Sequence, residues 1–261
     1  MLQSLWRYRS FILGMAQREF QARYLGSVLG SLWAVLNPLT MVFIYTVVFG
    51  QVMRSRVPGV DDAIGYGLFL CAGLFTWATF TEVLQRCVTV FVEQANLLKK
   101  MSFPRASLPA IVVLSASIHF AIVFVILVTL LIATRRFPGW AVLGFVPLLA
   151  VQQSLALGLG IALGVMNVFF RDVAHLLAIG LQFWFWLTPI VYPAQVLGER
   201  ARALIALNPM TEIAVGYQEI VLHGRWPDWK GCAPQLVLAL AALAFGRIMF
   251  RRFSGEMTDH L

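Results

Sequence analysis

The sequence predicts an all-α integral membrane protein, on three observations. Of 261 residues, 60% are hydrophobic and 12% charged, where a soluble domain carries about 25% charged residues. Mean hydropathy is +0.80. The apolar residues gather into runs that match helical crossings of about 20 residues, without the period-two alternation of barrel strands.

The elements follow in chain order within one domain, 1–261. Residues 1–30 form an amphipathic interfacial helix, with Leu5, Tyr8, Phe11, Ile12, Met15 and Ala22 on one side and Arg7, Ser10, Gly14, Gln17, Arg18 and Gln21 on the other. It lies flat in the headgroup layer or packs on a partner. Six spans occupy 32–250: Leu32–Met53, Ile64–Leu84 (extendable to Val92), Ser107–Ala133, Trp140–Phe169, Val173–Tyr192 and Cys232–Phe250. Between spans two and three, the island Asn96, Leu97, Leu98, Lys99, Lys100, Met101, Ser102, Phe103, Pro104, Arg105 holds two of the chain's three lysines. So polar a segment belongs in water, where a short helix can dock on another protein. Residues 194–230 read as two short helices, Ala194–Leu207 and Met210–Leu222, parted by Asn208-Pro209. Proline breaks the helical ladder there. Their richness in Leu, Ile and Val favours a re-entrant hairpin buried in protein over an ordinary loop.

Basic residues concentrate near Arg7, Arg9, Arg18 and Arg23 and at Arg251 and Arg252, which places both termini in the cytoplasm. Arg135 and Arg136 oppose that orientation. The net charge of +8 suits anionic lipid; no basic face is crossed by aromatic platforms, so nucleic acid is not an expected partner. Cys71, Cys87 and Cys232 lack C-x-x-C spacing and read as small buried hydrophobes. No secretory signal peptide is apparent.

Several chemistries lack their residues. No lysine follows a phosphate-loop glycine pattern. His119, His175, His223 and His260 are scattered, so no metal site is expected, and no G-x-S-x-G elbow provides a catalytic serine. Glu82 and Arg86 share one helical face inside span two, as a self-neutralising pair or as a gating element. Gln152, Gln153 and Gln182 bond between helices or line a polar path. Phe183, Trp184, Phe185 and Trp186 point all around a helix; they anchor at the lipid interface or offer faces on which sugar rings stack. Arg18 and Arg23 contact anionic lipid or grip a phosphate.

Four stretches together resemble ABC-2 type permeases, in the branch exporting O-antigen, capsule, teichoic acid or related polyol phosphates. They are Arg18 to Pro38 (Arg-Glu-Phe-Gln-Ala-Arg-Tyr-Leu-Gly-Ser-Val-Leu-Gly-Ser-Leu-Trp-Ala-Val-Leu-Asn-Pro), Asn96 to Arg105, Asn167 to Val173 (Asn-Val-Phe-Phe-Arg-Asp-Val) and Leu207 to Thr211 (Leu-Asn-Pro-Met-Thr). The resemblance implies a six-span subunit of the bacterial inner membrane that pairs with a second copy of itself. Two separate ATPase subunits would bind ATP and Mg, this chain holding no cofactor. Residues 94–105 would be the coupling helix, the amphipathic helix would also lie against the ATPase, and residues 194–230 would be extracytoplasmic gate half-helices around Asn208 and Pro209. Helices one and five would line a conduit, with Trp33 and Phe183 to Trp186 as its aromatics.

The expected function is therefore ATP-driven export of an undecaprenyl-linked polysaccharide by a subunit without its own catalytic site. Another cargo (a drug, haem or a lipid) and an integral-membrane glycosyl- or phosphotransferase are the alternatives.

Overall fold

A computed structural model describes residues 8–22, 29–52, 62–96 and 105–257. Leu97, Leu98, Lys99, Lys100, Phe103 and Pro104 of the basic island, and Arg23, lie outside them. Among the described residues there are nine α-helices and no strand. They are α1 (Arg9–Ala22), α2 (Trp33–Ile44), α3 (Ala63–Glu93), α4 (Ser107–Ala133), α5 (Phe145–Phe169), α6 (Asp172–Trp186), α7 (Glu199–Ala206), α8 (Pro209–His223) and α9 (Trp229–Phe253). A π-helical stretch, Tyr45–Val52, continues α2, and a 3-10 turn, Gly139–Gly144, leads into α5. Among the described residues, four stretches are long and apolar enough to cross a bilayer: Ile64–Glu93, Ser107–Ala133, Gly139–Phe169 and Trp229–Phe253. Trp33–Val48 is apolar but shorter.

α3 is the centre. It has 31 residues, about 46 Å of helix, and it touches α4, α5, α6, α8 and the π-helical stretch. Its most apolar window is 72% buried, against 39% for α4 and 22% for α9. The bare flanks of α4 and α9, with Val125, Ile132, Val237 and Ile248 exposed, are surfaces suited to lipid.

Glycine fixes the tightest contacts. A Cβ at Gly158 would stand 2.4 Å from the Ala242 carbonyl carbon, and one at Gly246 2.4 Å from the Gly158 oxygen. Backbone therefore meets backbone between α5 and α9. On its other side α5 meets α3 in the same way: a Cβ at Gly164 would be 2.5 Å from the Cys87 oxygen. Two side chains of α5 fasten this second contact, Gln152 donating to the Thr76 carbonyl (3.0 Å) and Asn167 to the Val88 carbonyl (3.1 Å). α3, α5 and α9 thus form one slab.

The slab defines two ends. At one, Asp62 caps α3 by accepting from the Gly65 N–H and pairs with Arg136 at 2.7 Å. Burial pushes the Asp62 carboxyl up, but Arg136 and the Gly65 N–H outweigh it and hold it below its ordinary value. Arg136, which opposed the expected orientation, is thereby neutralised. At the other end Phe91 stacks on Phe250 (5.7 Å between centroids) and Phe169 meets Phe253 edge-on (5.9 Å). α1 packs on the first turns of α4, where Ile12 and Ala16 bury against Ile111. Its apolar face is thus covered by this chain's own α4. Ala22, expected on that face, is exposed.

The fifth apolar run differs from expectation. Its helix stops at Trp186 rather than continuing to Tyr192, giving 15 residues, about 22 Å. Pro189 disfavours helical geometry at Thr188. The chain then bends through 188–192, where the Val191 carbonyl accepts from Tyr66 Oη and that of Pro189 from Gln218 Nε2.

Replacing Gly158 or Gly246 with valine should destabilise the detergent-solubilised chain by more than the roughly 1–3 kcal/mol typical of overpacking, since backbone cannot yield. Gly180→Ala, with nothing within 4 Å of the new methyl, should be neutral within about 0.5 kcal/mol. Thermal melts of the three variants check this.

Candidate functional site

α8 begins and ends as its sequence dictates, with Asn208 as N-cap, Pro209 in the first turn and Gly224 left-handed at φ 62° beyond the last. Nine of its residues are buried, wedged against α3, α5 and α9. Tyr217 lies fully buried against Phe145 and Phe120.

Asn208 does more than cap. Its Oδ1 accepts from the Met210 N–H (3.0 Å) and from the Trp184 indole N–H (2.7 Å). Its Nδ2 donates to the Leu187 carbonyl (3.1 Å) and to Thr188 Oγ1 (2.9 Å). One amide thus joins the end of α6 to the start of α8 with its bonding capacity filled.

That bond turns Trp184 inward, edge-on to Phe80 (5.3 Å) and Trp77 (6.1 Å) near the middle of α3. The four neighbouring aromatics therefore separate. Trp184 is packed within the fold, Phe183 is 69% exposed, and Phe185 and Trp186 line a groove of about 420 Å³ between α3 and α6. The same groove takes in Trp77, Thr81, Gln85 and Gln182. It is aromatic, amide-bearing and uncharged. Trp33 lies on the other side of α3, in a cavity of about 430 Å³ shared with Asn37, Trp77, Thr81, Glu82 and His119. Trp77 and Thr81 belong to both spaces. The four-residue spacing of Trp77, Thr81 and Gln85 places them on one helical stripe, a periodicity legible in the sequence but missed there.

The Glu82–Arg86 pair forms at 3.1 Å and gains a third member, as Glu19 of α1 also pairs with Arg86. Ser115 of α4 stands 3.5 Å from the same guanidinium. The cluster ties α1 to α3 and borders an open vestibule of about 700 Å³, whose lining includes Ala22, Thr81 and Gln85. Thr81 of α3 lines all three spaces.

Gln152 bonds between helices, whereas Gln182 lines the groove. Arg18 is exposed on α1, and Asn96 is exposed beyond α3. Arg105 is half-buried and donates to the Ser254 carbonyl at the end of α9.

Comparison with known proteins gives consistent matches. The family model described as ABC-2 type transporter matches residues 11–222. An O-antigen export system permease protein RfbA of Myxococcus xanthus is 33% identical over 246 residues, covering 94% of this chain and 90% of the relative. A protein of the same description from Klebsiella pneumoniae is 29% identical over 80% of the chain and 79% of its own length. The polysialic acid transport protein KpsM of Escherichia coli is 22% identical, with 90% of each chain covered.

Two predictions arise from this geometry. Asn208→Ala removes a cap of about 1 kcal/mol and strands the Trp184 indole at about 1–3 kcal/mol. Hydrogen exchange should accelerate in peptides over 184–188 and 208–212 and stay slow in α5. Arg86→Gln removes the positive charge that Glu19 and Glu82 share. It should cost about 2–3 kcal/mol, below the figure for buried pairs because Glu19 reaches solvent. The triple neutralisation of Glu19, Glu82 and Arg86 to glutamine should recover most of the loss in a thermal melt.

Proposed function

The chain belongs to the ABC-2 type transporter family, and from that premise we propose that it is the membrane permease of an exporter for lipid-linked polysaccharide. It is a multi-pass membrane protein and a transport subunit. The observation that carries the cargo assignment is end-to-end similarity to a permease named for O-antigen export, 33% identity over 94% of the chain. The relative named for polysialic acid transport supports a glycan as well.

The groove suits such a cargo. A glycan many rings long must be held at each step and released at the next, so strong charge pairing inside the path would stall it. Phe185 and Trp186 offer ring faces, and Gln85, Gln182 and Thr81 offer neutral donors and acceptors. An aromatic contact of about 0.5–1.5 kcal/mol is shallow enough for repeated release. Trp33 supplies a further face across α3. We assign these residues to one wall of a conduit completed by a second copy of the chain, with α2 and α6 lining it.

The remaining assignments belong to the same reading. α2, α3, α4, α5, α6 with the bent segment that follows it, and α9 are six crossings. The end that carries α1 and the last turn of α9 faces the cytoplasm, supported by Arg251 and Arg252 there. Residues 94–105 dock on an ATPase subunit that binds ATP and Mg, one for each permease copy. Lys99 and Lys100 supply charge to that contact and Arg18 meets anionic headgroups or the carrier's phosphate. α7 and α8, hinged at Asn208 and Pro209, form the gate on the far side.

Purification of a tagged chain from its native membrane tests the reading. An ATPase subunit should co-elute, and Lys99→Glu with Lys100→Glu should reduce the co-eluting fraction about tenfold, the effect of roughly 1.4 kcal/mol lost at the contact. A chain that elutes alone and transfers sugar onto a lipid carrier would overturn transport in favour of transferase activity.

A further inference from the structure

Arg105 closes the basic island, but its guanidinium is directed into this chain. It donates to the carbonyl of Ser254, the residue that caps α9. The last carbonyls of a helix lack intrahelical partners and carry the negative end of its dipole, so a cation there satisfies both. By chain connectivity, residues 94–105 join only α3 and α4. The Arg105 bond adds α9, a helix nearly 150 residues away (|i−j| = 149).

What α9 is attached to makes this addition consequential. Phe250 and Phe253 hold its end against Phe91 of α3 and Phe169 of α5, and Met257 beyond it is 1% exposed. Further along, the Gly158–Gly246 approach leaves no room for α9 to slide on α5. A pull on the end of α9 therefore moves the slab as a body.

We propose that Arg105 is a positioning residue that clamps the coupling segment to the C-terminal end of α9, delivering its displacement to the α3–α5–α9 slab. The proposal rests on the reading of residues 94–105 as the ATPase-coupling segment. It moves Arg105 from the docking surface, where the family resemblance put it, to an internal transmission contact. The slab then shifts as a unit against α2, which borders the Trp33 cavity, and α6, which borders the groove.

The test uses the full chain with its co-purified ATPase in lipid vesicles, and reads glycan exported per ATP hydrolysed within each intact complex. A contact serving stability alone lowers the amount of complex and leaves this ratio unchanged. Arg105→Ala should lower the ratio about tenfold, the factor equivalent to about 1.4 kcal/mol. Arg105→Lys, which can still donate to a carbonyl, should retain most of it. Should the alanine variant fail to accumulate, Arg105→Gln, which keeps a donor without charge, should give an intermediate ratio. A wild-type ratio in the alanine or glutamine variant overturns the clamp, as does a lysine variant as impaired as alanine. A wild-type chain that recruits no ATPase overturns the transport reading and the clamp with it; recruitment with an unaltered ratio overturns the clamp alone.

Discussion

The contact on which the rest depends is the approach of bare backbone between α5 and its two neighbours. In lipid, apolar side chains gain little by leaving one hydrocarbon surface for another, so helices hold together through close packing and a few hydrogen bonds. Gly158 and Gly246 permit that closeness on one side of α5 and Gly164 on the other. Gln152 and Asn167 set the register by donating to α3 carbonyls twelve residues apart in the chain, Thr76 and Val88. A slab joined in this way resists sliding, because each glycine position admits one neighbour at one height.

α6 is held differently. Among its described residues Leu181 alone is buried, and its polar attachments lie at its ends. Asn167 Oδ1 accepts from the Ala174 N–H at the start (3.2 Å), and Asn208 gathers Trp184, Leu187 and Thr188 at the finish. Between them, at Gly180, nothing lies within 4 Å of a Cβ. α6 therefore depends on its two end attachments, and it can tilt only where one of them gives way. α2 faces the same slab across the cavity that holds Trp33, so the polar stripe of α3 lies between these two walls.

Much of this was legible from composition and period, because a bilayer permits few alternatives to helices. The apolar runs located α3, α4, α5 and α9 to within a few residues, α3 on its longer reading to Val92, and Asn208-Pro209 marked the start of α8. Periodicity alone could not place what depends on long-range neighbours. Four consecutive aromatics gave no sign that Trp184 turns inward, since its partner Asn208 lies 24 residues away. The Glu82–Arg86 pair was visible as an i, i+4 spacing, but Glu19 reaches it only because α1 folds onto α4. Arg105 read as one more basic residue of an exposed island; its acceptor is a backbone carbonyl, which no side-chain pattern reveals.

Distances between spin labels in the assembled transporter, with and without bound nucleotide, bear most directly on the division into a rigid slab and movable walls. One label pair belongs on lipid-facing sites of α5 and α9, the other on Ala78 of α3 and Ile179 of α6. The account requires the first distance to be the same in both states while the second shifts. A change between α5 and α9 as large as that between α3 and α6 would contradict it.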